Sequence, residues 1–151
     1  MKVLLTFLVL TITISSCNKT VCPPNDFTSE SIHKGVLGGA GDENIDQGNL
    51  VIKTQTEWSE LLTKMNSVNN ESDNFAITDV NFDTHMVIAC FDPVHSSGGH
   101  EINIASILHD GSNILVDVQN TSDTSGFVIT VLTQPYVLMM VTQCDEEVIF
   151  N

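Results

Sequence analysis

A short apolar segment near the N-terminus constrains this chain more than any other feature of its sequence. Residues 3–14 are aliphatic apart from three threonines and one phenylalanine, and they lie between Lys2 and the small residues Ser15 and Ser16. A basic start, a short hydrophobic run and small residues at its end are typical of a secretory signal peptide. The alternative is an uncleaved membrane helix, but such a helix needs roughly 20 apolar residues. The sequence therefore predicts that residues 1–16 are removed and that the rest of the chain is exported.

A cysteine follows the two small residues, and this order of residues resembles a bacterial lipoprotein signal. Such signals carry an aliphatic residue, two small residues and then the cysteine that receives diacylglycerol; here Ile14, Ser15 and Ser16 precede Cys17. The resemblance implies lipidation of Cys17, which would be the first residue of the mature protein. Each buried methylene contributes about 0.8 kcal/mol, so two or three acyl chains hold a protein firmly in a membrane. We therefore expect a membrane-anchored lipoprotein of the bacterial cell envelope.

The charge of the chain argues against nucleic acid as a partner. The sequence has 19 acidic residues and only five basic ones, all of them lysine, and its formal net charge is −14 at pH 7. Nucleic-acid binding normally requires a cluster of basic side chains to neutralise phosphates. An acidic surface also disfavours docking of the folded part on anionic lipid. The lipid on Cys17 is thus the expected contact with the membrane.

The remaining chain is long enough for one domain with a hydrophobic core. Residues 17–29 are predicted to form a lipidated tether, because Cys22-Pro23-Pro24 favours extended backbone and no periodic apolar face is present. Residues 30–151 are predicted to form the folded domain.

One amphipathic helix is predicted near residues 54–66. Thr54 and Glu57 have the spacing of a capping box, in which each side chain accepts a hydrogen bond from the other residue's backbone. Apolar residues then recur at helical spacing, at Trp58, Leu61, Leu62 and Met65.

The second half of the chain shows the pattern of strands. Residues 86–91 form a continuous apolar run, which is expected for a strand that is covered on both faces. Further strands are indicated by alternation or by short apolar runs at 102–104, 114–118, 127–133, 136–141 and 148–150. A turn is predicted at 110–113, and Gln134-Pro135 is expected to separate two strands. The predicted fold class is α+β, with a mostly antiparallel sheet and the one helix.

Three cysteines other than Cys17 leave their pairing open. Cys90 ends one apolar run and Cys144 follows another, so a bridge between them is one alternative. The other alternative, which we favour, is a buried free thiol at Cys90, because cysteine behaves as a small hydrophobic residue. No Cys-x-x-Cys motif is present, so neither a zinc ribbon nor a redox motif is indicated.

The order of these elements resembles the C-terminal domain family of the protease complex subunit PrcB. The resemblance covers roughly residues 49–150 and rests on several segments together: Asn49–Lys53, Glu57-Trp58, Phe82-Asp83 with residues 86–91, Ser97–His100 and Val131–Tyr136. It implies a lipoprotein that supports an exported protease complex. It carries over no catalytic residue.

Two segments contain residue types that bind metals. Residues 42–46 begin like an EF-hand loop, but Gln47 replaces the expected glycine and Lys53 replaces the final glutamate, so we expect an acidic loop without a metal. His95 and His100 lie near one turn and Asp92 precedes them, so a zinc site is an alternative there.

The same turn is the candidate site for a partner protein, formed by Ser97, Gly98, Gly99 and His100. No catalytic residues and no cofactor are predicted, and no Gly-x-Ser-x-Gly nucleophile motif is present. We therefore expect a lipid-anchored, non-catalytic protein that binds another protein. The alternatives are a small metal-dependent hydrolase that uses His95 and His100, and a carrier for a small apolar ligand.

Overall fold

The computed structural model describes residues 20–22, 26–123 and 130–151. The predicted signal segment 1–16 and the predicted lipidation site Cys17 lie outside the described residues. Residues 127–129 of the strand expected at 127–133 also lie outside them. The described residues 130–132 are not in a strand, and Thr133 forms only an isolated bridge with His95, so the prediction of a strand there is wrong for the described part.

The described residues form one α-helix, a short 3-10 helix at Glu71–Asn74 and seven strands. The elements in chain order are β1 (Ser29–Leu37), β2 (Gly48–Ile52), α1 (Gln55–Met65), β3 (His85–Phe91), β4 (His100–His109), β5 (Asn113–Ser122), β6 (Gln134–Thr142) and β7 (Glu147–Phe150). This architecture confirms the predicted α+β class.

The strands form two sheets. The first has the order β1-β6-β3-β2, and all its neighbouring strands are antiparallel. The second has the order β4-β5-β7, in which β5 pairs antiparallel with β4 and parallel with β7. The expected C-terminal strand therefore exists, and it adds one parallel pair to an otherwise antiparallel fold.

The strand that contains Pro135 differs from the sequence prediction. Gln134 and Pro135 do not separate two strands; they are the first two residues of β6, which lies between β1 and β3. Residues 136–141 are therefore paired on both sides and offer no unpaired strand to a partner. Proline is tolerated near the beginning of a strand, and the Pro135 carbonyl still accepts a hydrogen bond from the Asp92 backbone N–H at 2.9 Å.

The first sheet is covered on both faces, as the apolar run at 86–91 predicted. Val87, Ala89 and Phe91 pack in the core cluster that includes the helix. The residues that alternate with them, among them Met86 and Ile88, pack in a second cluster with the other sheet. Helix, first sheet and second sheet are thus three layers with two apolar interfaces.

Helix α1 begins with the predicted capping box. Thr54 Oγ1 accepts from the Glu57 N–H at 3.2 Å, and Glu57 Oε2 accepts from the N–H groups of Lys53 and Thr54 at 3.0 and 3.1 Å. These bonds, chiefly the one from Lys53, lower the pKa of Glu57. Trp58, Leu61 and Met65 are buried, which confirms three of the four residues of the predicted stripe; Leu62 is partly buried against the same cluster.

We expect Thr54→Ala to lower the free energy of unfolding by about 0.5–2 kcal/mol, because the Glu57 N–H loses its acceptor. Urea unfolding of the variant measures this loss. Thr56→Ala is the matched control, since Thr56 lies exposed in the first turn of the helix. A cost for Thr56→Ala as large as that for Thr54→Ala would show that the cap contributes nothing specific.

The cysteines pair differently from the alternative considered for Cys144. Cys22 and Cys144 form a disulfide across 122 positions of sequence. Cys90 is free and buried, as we favoured, and burial raises the pKa of its thiol to about 12. Residues 20–22 are therefore bound to the domain although they lie within the predicted tether.

Further hydrogen bonds attach this N-terminal segment to the chain after β6. The Thr20 N–H donates to Asp145 Oδ2 at 2.6 Å, and the Cys22 N–H donates to the Glu146 carboxylate at 3.1 Å. Thr28, just before β1, exchanges backbone and side-chain bonds with Thr142. Contacts with the domain thus begin before residue 30, the boundary expected from the sequence.

Candidate functional site

The candidate partner-binding turn, Ser97–His100, connects β3 to β4 and is held by its own chain. The Ser97 carbonyl accepts from Thr133 Oγ1 at 3.0 Å, and the Gly99 carbonyl accepts from the Asp123 N–H at 2.8 Å. Gly99 has a φ of 85°, which favours glycine. The Ser97 and Gly99 carbonyls of the candidate turn therefore each accept a hydrogen bond from the same chain.

Beside this turn, Asp92 joins the two sheets. Its side chain is buried, and its Oδ2 lies 2.7 Å from His95 Nε2. Its Oδ1 accepts from the Asn120 side chain on β5. Both oxygens of this buried carboxylate are therefore hydrogen-bonded within the chain, as is typical of buried charged groups.

The two candidate zinc ligands stack on each other. The ring centroids of His95 and His100 lie 3.7 Å apart and the planes differ by 2°. The lone pair of an imidazole nitrogen lies in the plane of its ring. Two parallel, separated planes share no point at which both lone pairs could meet one ion, so this arrangement does not suit a zinc site.

The same residues do not form a continuous catalytic triad. His95 Nε2 contacts Asp92, whereas Ser97 Oγ lies 3.3 Å from Nε2 of the other imidazole, His100. In a triad, one histidine contacts both the carboxylate and the nucleophile. The four side chains therefore form two separate hydrogen-bonded pairs, which hold the turn in place.

The acidic loop at 42–46 also bonds within itself. Glu43 is buried, and its Oε1 accepts from the Gly39 N–H at 2.8 Å. Asn44 donates to the Asp42 carbonyl at 2.9 Å. Across residues 20–22, 26–123 and 130–151, the only cluster with metal-ligand spacing is Cys22, Cys144 and Glu146. Both thiols there are consumed by the disulfide.

A groove between β2 and α1 is the feature that sequence reasoning missed. Its volume is about 250 Å³ at the end near the helix start, and it is lined there by Leu50, Val51, Ile52, Glu57, Glu60, Leu61 and Lys64. A second depression of about 360 Å³ shares Leu50, Leu61 and Lys64 and extends to residues 45–49. The groove therefore runs along the whole of β2.

One wall of this groove is a free strand edge. β2 is the last strand of its sheet and pairs with β3 alone, in an uninterrupted register. Within the described ranges, no hydrogen bond joins the β2 backbone to any element other than β3. The opposite edge strand is better protected: β1 has an irregular register between Ser31 and His33, and its Ile32 carbonyl accepts from the Ala76 N–H at 3.0 Å.

The groove combines an apolar floor with a mostly acidic rim. Leu50 is 43% exposed although it is a large aliphatic residue, and Ile52 and Leu61 are buried beneath it. Three carboxylates line the groove, those of Asp46, Glu57 and Glu60, against the single ammonium of Lys64. Lys53 does not line the groove; its Nζ donates to the Cys144 carbonyl at 2.7 Å.

Comparisons with known proteins add no relative: no family model, no curated protein and no solved structure matches this chain. In the part of the chain that the structure describes, none of the helices combines the length and the apolar character needed to cross a membrane.

Proposed function

We propose that this protein is a lipid-anchored, non-catalytic protein of the bacterial cell envelope that binds a partner protein. The observation that carries the proposal is the unpaired edge of β2 beside an apolar groove. Exposed strand edges are usually blocked or covered in monomeric proteins, because they pair with other chains. An edge with an uninterrupted register and a half-exposed leucine beside it therefore favours a binding role.

The signal-like segment and the disulfide support the proposed location. Structural disulfides persist in oxidising compartments outside the cytosol, which agrees with an exported domain bridged at Cys22 and Cys144. The resemblance to the PrcB family would make the partner an exported protease complex, with this chain as an accessory subunit.

The disulfide also limits how far the domain can stand from the membrane. Only five residue steps separate Cys17 from Cys22, and a fully extended chain spans at most roughly 3.3–3.6 Å per residue. The lipid would therefore hold the bridge within roughly 18 Å of its attachment point. Lys53, which follows β2, bonds to the other half of the bridge, so one end of the groove lies next to this attachment.

We expect labelled palmitate to enter the wild-type protein and to be lost in Cys17→Ala, because Cys17 is the proposed acceptor. The measurement is metabolic labelling of cells that produce each form, followed by purification. Cys90→Ala is the matched control: Cys90 is buried, so this variant should incorporate as much palmitate as the wild type. Equal labelling of wild type and Cys17→Ala would contradict the lipoprotein assignment.

A further inference from the structure

We propose that the groove binds an extended segment of a partner that joins the sheet beside β2 and carries a lysine or arginine at its ends. The inference rests on the proposed partner-binding function and adds the docking site and the chemistry of the docked segment. Strand addition gives affinity through backbone hydrogen bonds and selectivity through pockets for alternate side chains.

The register of the first sheet determines which side chains of the added segment meet the helix. Leu50 and Ile52 lie opposite Ala89 and Val87 of β3, and both of these β3 residues pack on the helix side. Because side chains alternate across a strand, every second side chain of an added strand would also face the helix. Those side chains would cover Leu50, which favours apolar residues at alternate positions.

The charge of the rim selects the residues at the ends of the segment. Glu57 and Glu60 lie on the helix side of the groove, and Asp46 lies at the opposite end of β2. Glu57 is held in place by its bonds to the backbone of residues 53 and 54, and its pKa is lowered. A cationic side chain near either end of the segment would therefore meet a carboxylate.

The same charges disfavour a second copy of this chain as the occupant. Pairing of two β2 edges would bring two acidic rims together, and each chain has a net charge of −14. The chain contains only five basic residues, and Lys34 and Lys53 already bond to Glu101 and to the Cys144 carbonyl. A basic segment from a different protein fits the groove better.

The test is a titration of the mature protein, purified in detergent, with fluorescent synthetic peptides that match β2 in length. One peptide alternates valine and threonine between terminal lysines, and the control peptide has terminal glutamates instead. We expect fluorescence anisotropy to show about tenfold tighter binding of the lysine peptide. Equal affinity of the two peptides would overturn the proposed charge selection.

Backbone pairing has a separate signature. Two further lysine peptides carry N-methyl groups on alternate residues, in opposite phases, so that each phase blocks one edge of the peptide strand. One phase should lose about tenfold in affinity and the other should bind like the parent. Equal behaviour of the two phases would show that the peptide does not pair with β2.

Variants locate the site. Leu50→Arg should abolish binding by filling the groove, and it should leave folding intact because Leu50 is 43% exposed. Glu60→Gln should weaken binding about two- to fivefold. Glu147→Gln makes the same charge change on β7 of the other sheet and should bind like wild type. Undiminished binding by Leu50→Arg would overturn the proposal.

Two further outcomes separate this inference from the function on which it rests. Cross-linked complexes purified from the envelope through wild type and Leu50→Arg provide the comparison. A partner that both forms retain equally would refute the groove as the docking site but not the binding of a partner. The absence of a partner from both forms would refute the proposed function itself. A wild-type dimer that Leu50→Arg dissociates would instead identify a second copy as the occupant.

Discussion

Replacing Trp58 with alanine is expected to lower the free energy of unfolding by about 3–5 kcal/mol. Trp58 is the largest buried side chain and is only 2% exposed. Its ring lies 6.2 Å from that of Phe75, centroid to centroid, and it belongs to the cluster between helix and first sheet. Alanine would leave a cavity there that the surrounding strands cannot fill without moving.

Urea unfolding followed by far-ultraviolet circular dichroism measures this loss, because Trp58 is the sole tryptophan and its fluorescence disappears with it. Trp58→Phe is the matched variant. Among the described residues, Trp58 Nε1 has no hydrogen-bond partner, so phenylalanine keeps most of the apolar volume and removes an unpaired donor. We expect it to cost less than about 1.5 kcal/mol. Equal losses for the two variants would mean that packing of the ring is not the source of stability.

Removing the disulfide with Cys22→Ala and Cys144→Ala together is expected to lower the free energy of unfolding by about 2–5 kcal/mol. The bridge closes a loop across 122 positions, and a long loop restricts the unfolded chain strongly in the chain-entropy description. If the N-terminal segment then detaches, the Glu146 carboxylate loses the hydrogen bond that the backbone N–H of residue 22 donates to it. Detachment of the N-terminal segment would expose this carboxylate to water, so we expect no large additional penalty.

The reductant dithiothreitol provides the control for this prediction. It should lower the stability of the wild type to that of the double variant and leave the double variant unchanged, as measured by urea unfolding. A further loss in the reduced double variant would show that the reductant acts elsewhere. Cys90 forms no disulfide that dithiothreitol could reduce, since its thiol is free.

The same bridge controls the reach of the proposed lipid anchor. With the bridge intact, at most roughly 18 Å of chain would separate Cys17, the proposed lipidated residue, from the bridge. Without it, the first attachment would be near Thr28, whose backbone bonds to Thr142, and the reach would rise to roughly 40 Å. We therefore expect the disulfide to stabilise the fold and, with Cys17 lipidated as proposed, to keep the proposed binding groove close to the membrane.

Features formed by residues close in sequence were predictable from the sequence. The capping box spans Thr54 to Glu57, and the stripe that follows it buries Trp58 as expected. The turn at 110–113 is likewise local: Asp110 Oδ1 accepts from the N–H groups of Ser112 and Asn113 at 2.8 Å, and β4 pairs with β5. In each case the partners are only a few positions apart, so spacing alone specifies the contact.

Features that join distant residues were decided by the tertiary structure. The sequence does not specify which strands become edges: β3 lies between β2 and β6, which is far along the chain, and β2 pairs with β3 alone. Nor does it specify that Cys22 meets Cys144, since the separation of two cysteines depends on the complete fold. The groove arises from the same cause: Leu50 and Glu60 line one cavity only because the helix packs across the sheet beside an unpaired strand. Local spacing therefore predicted the helix, the turn at 110–113 and several later strands, whereas β1 and β2 were found only in the tertiary structure, and packing among the elements determined the site.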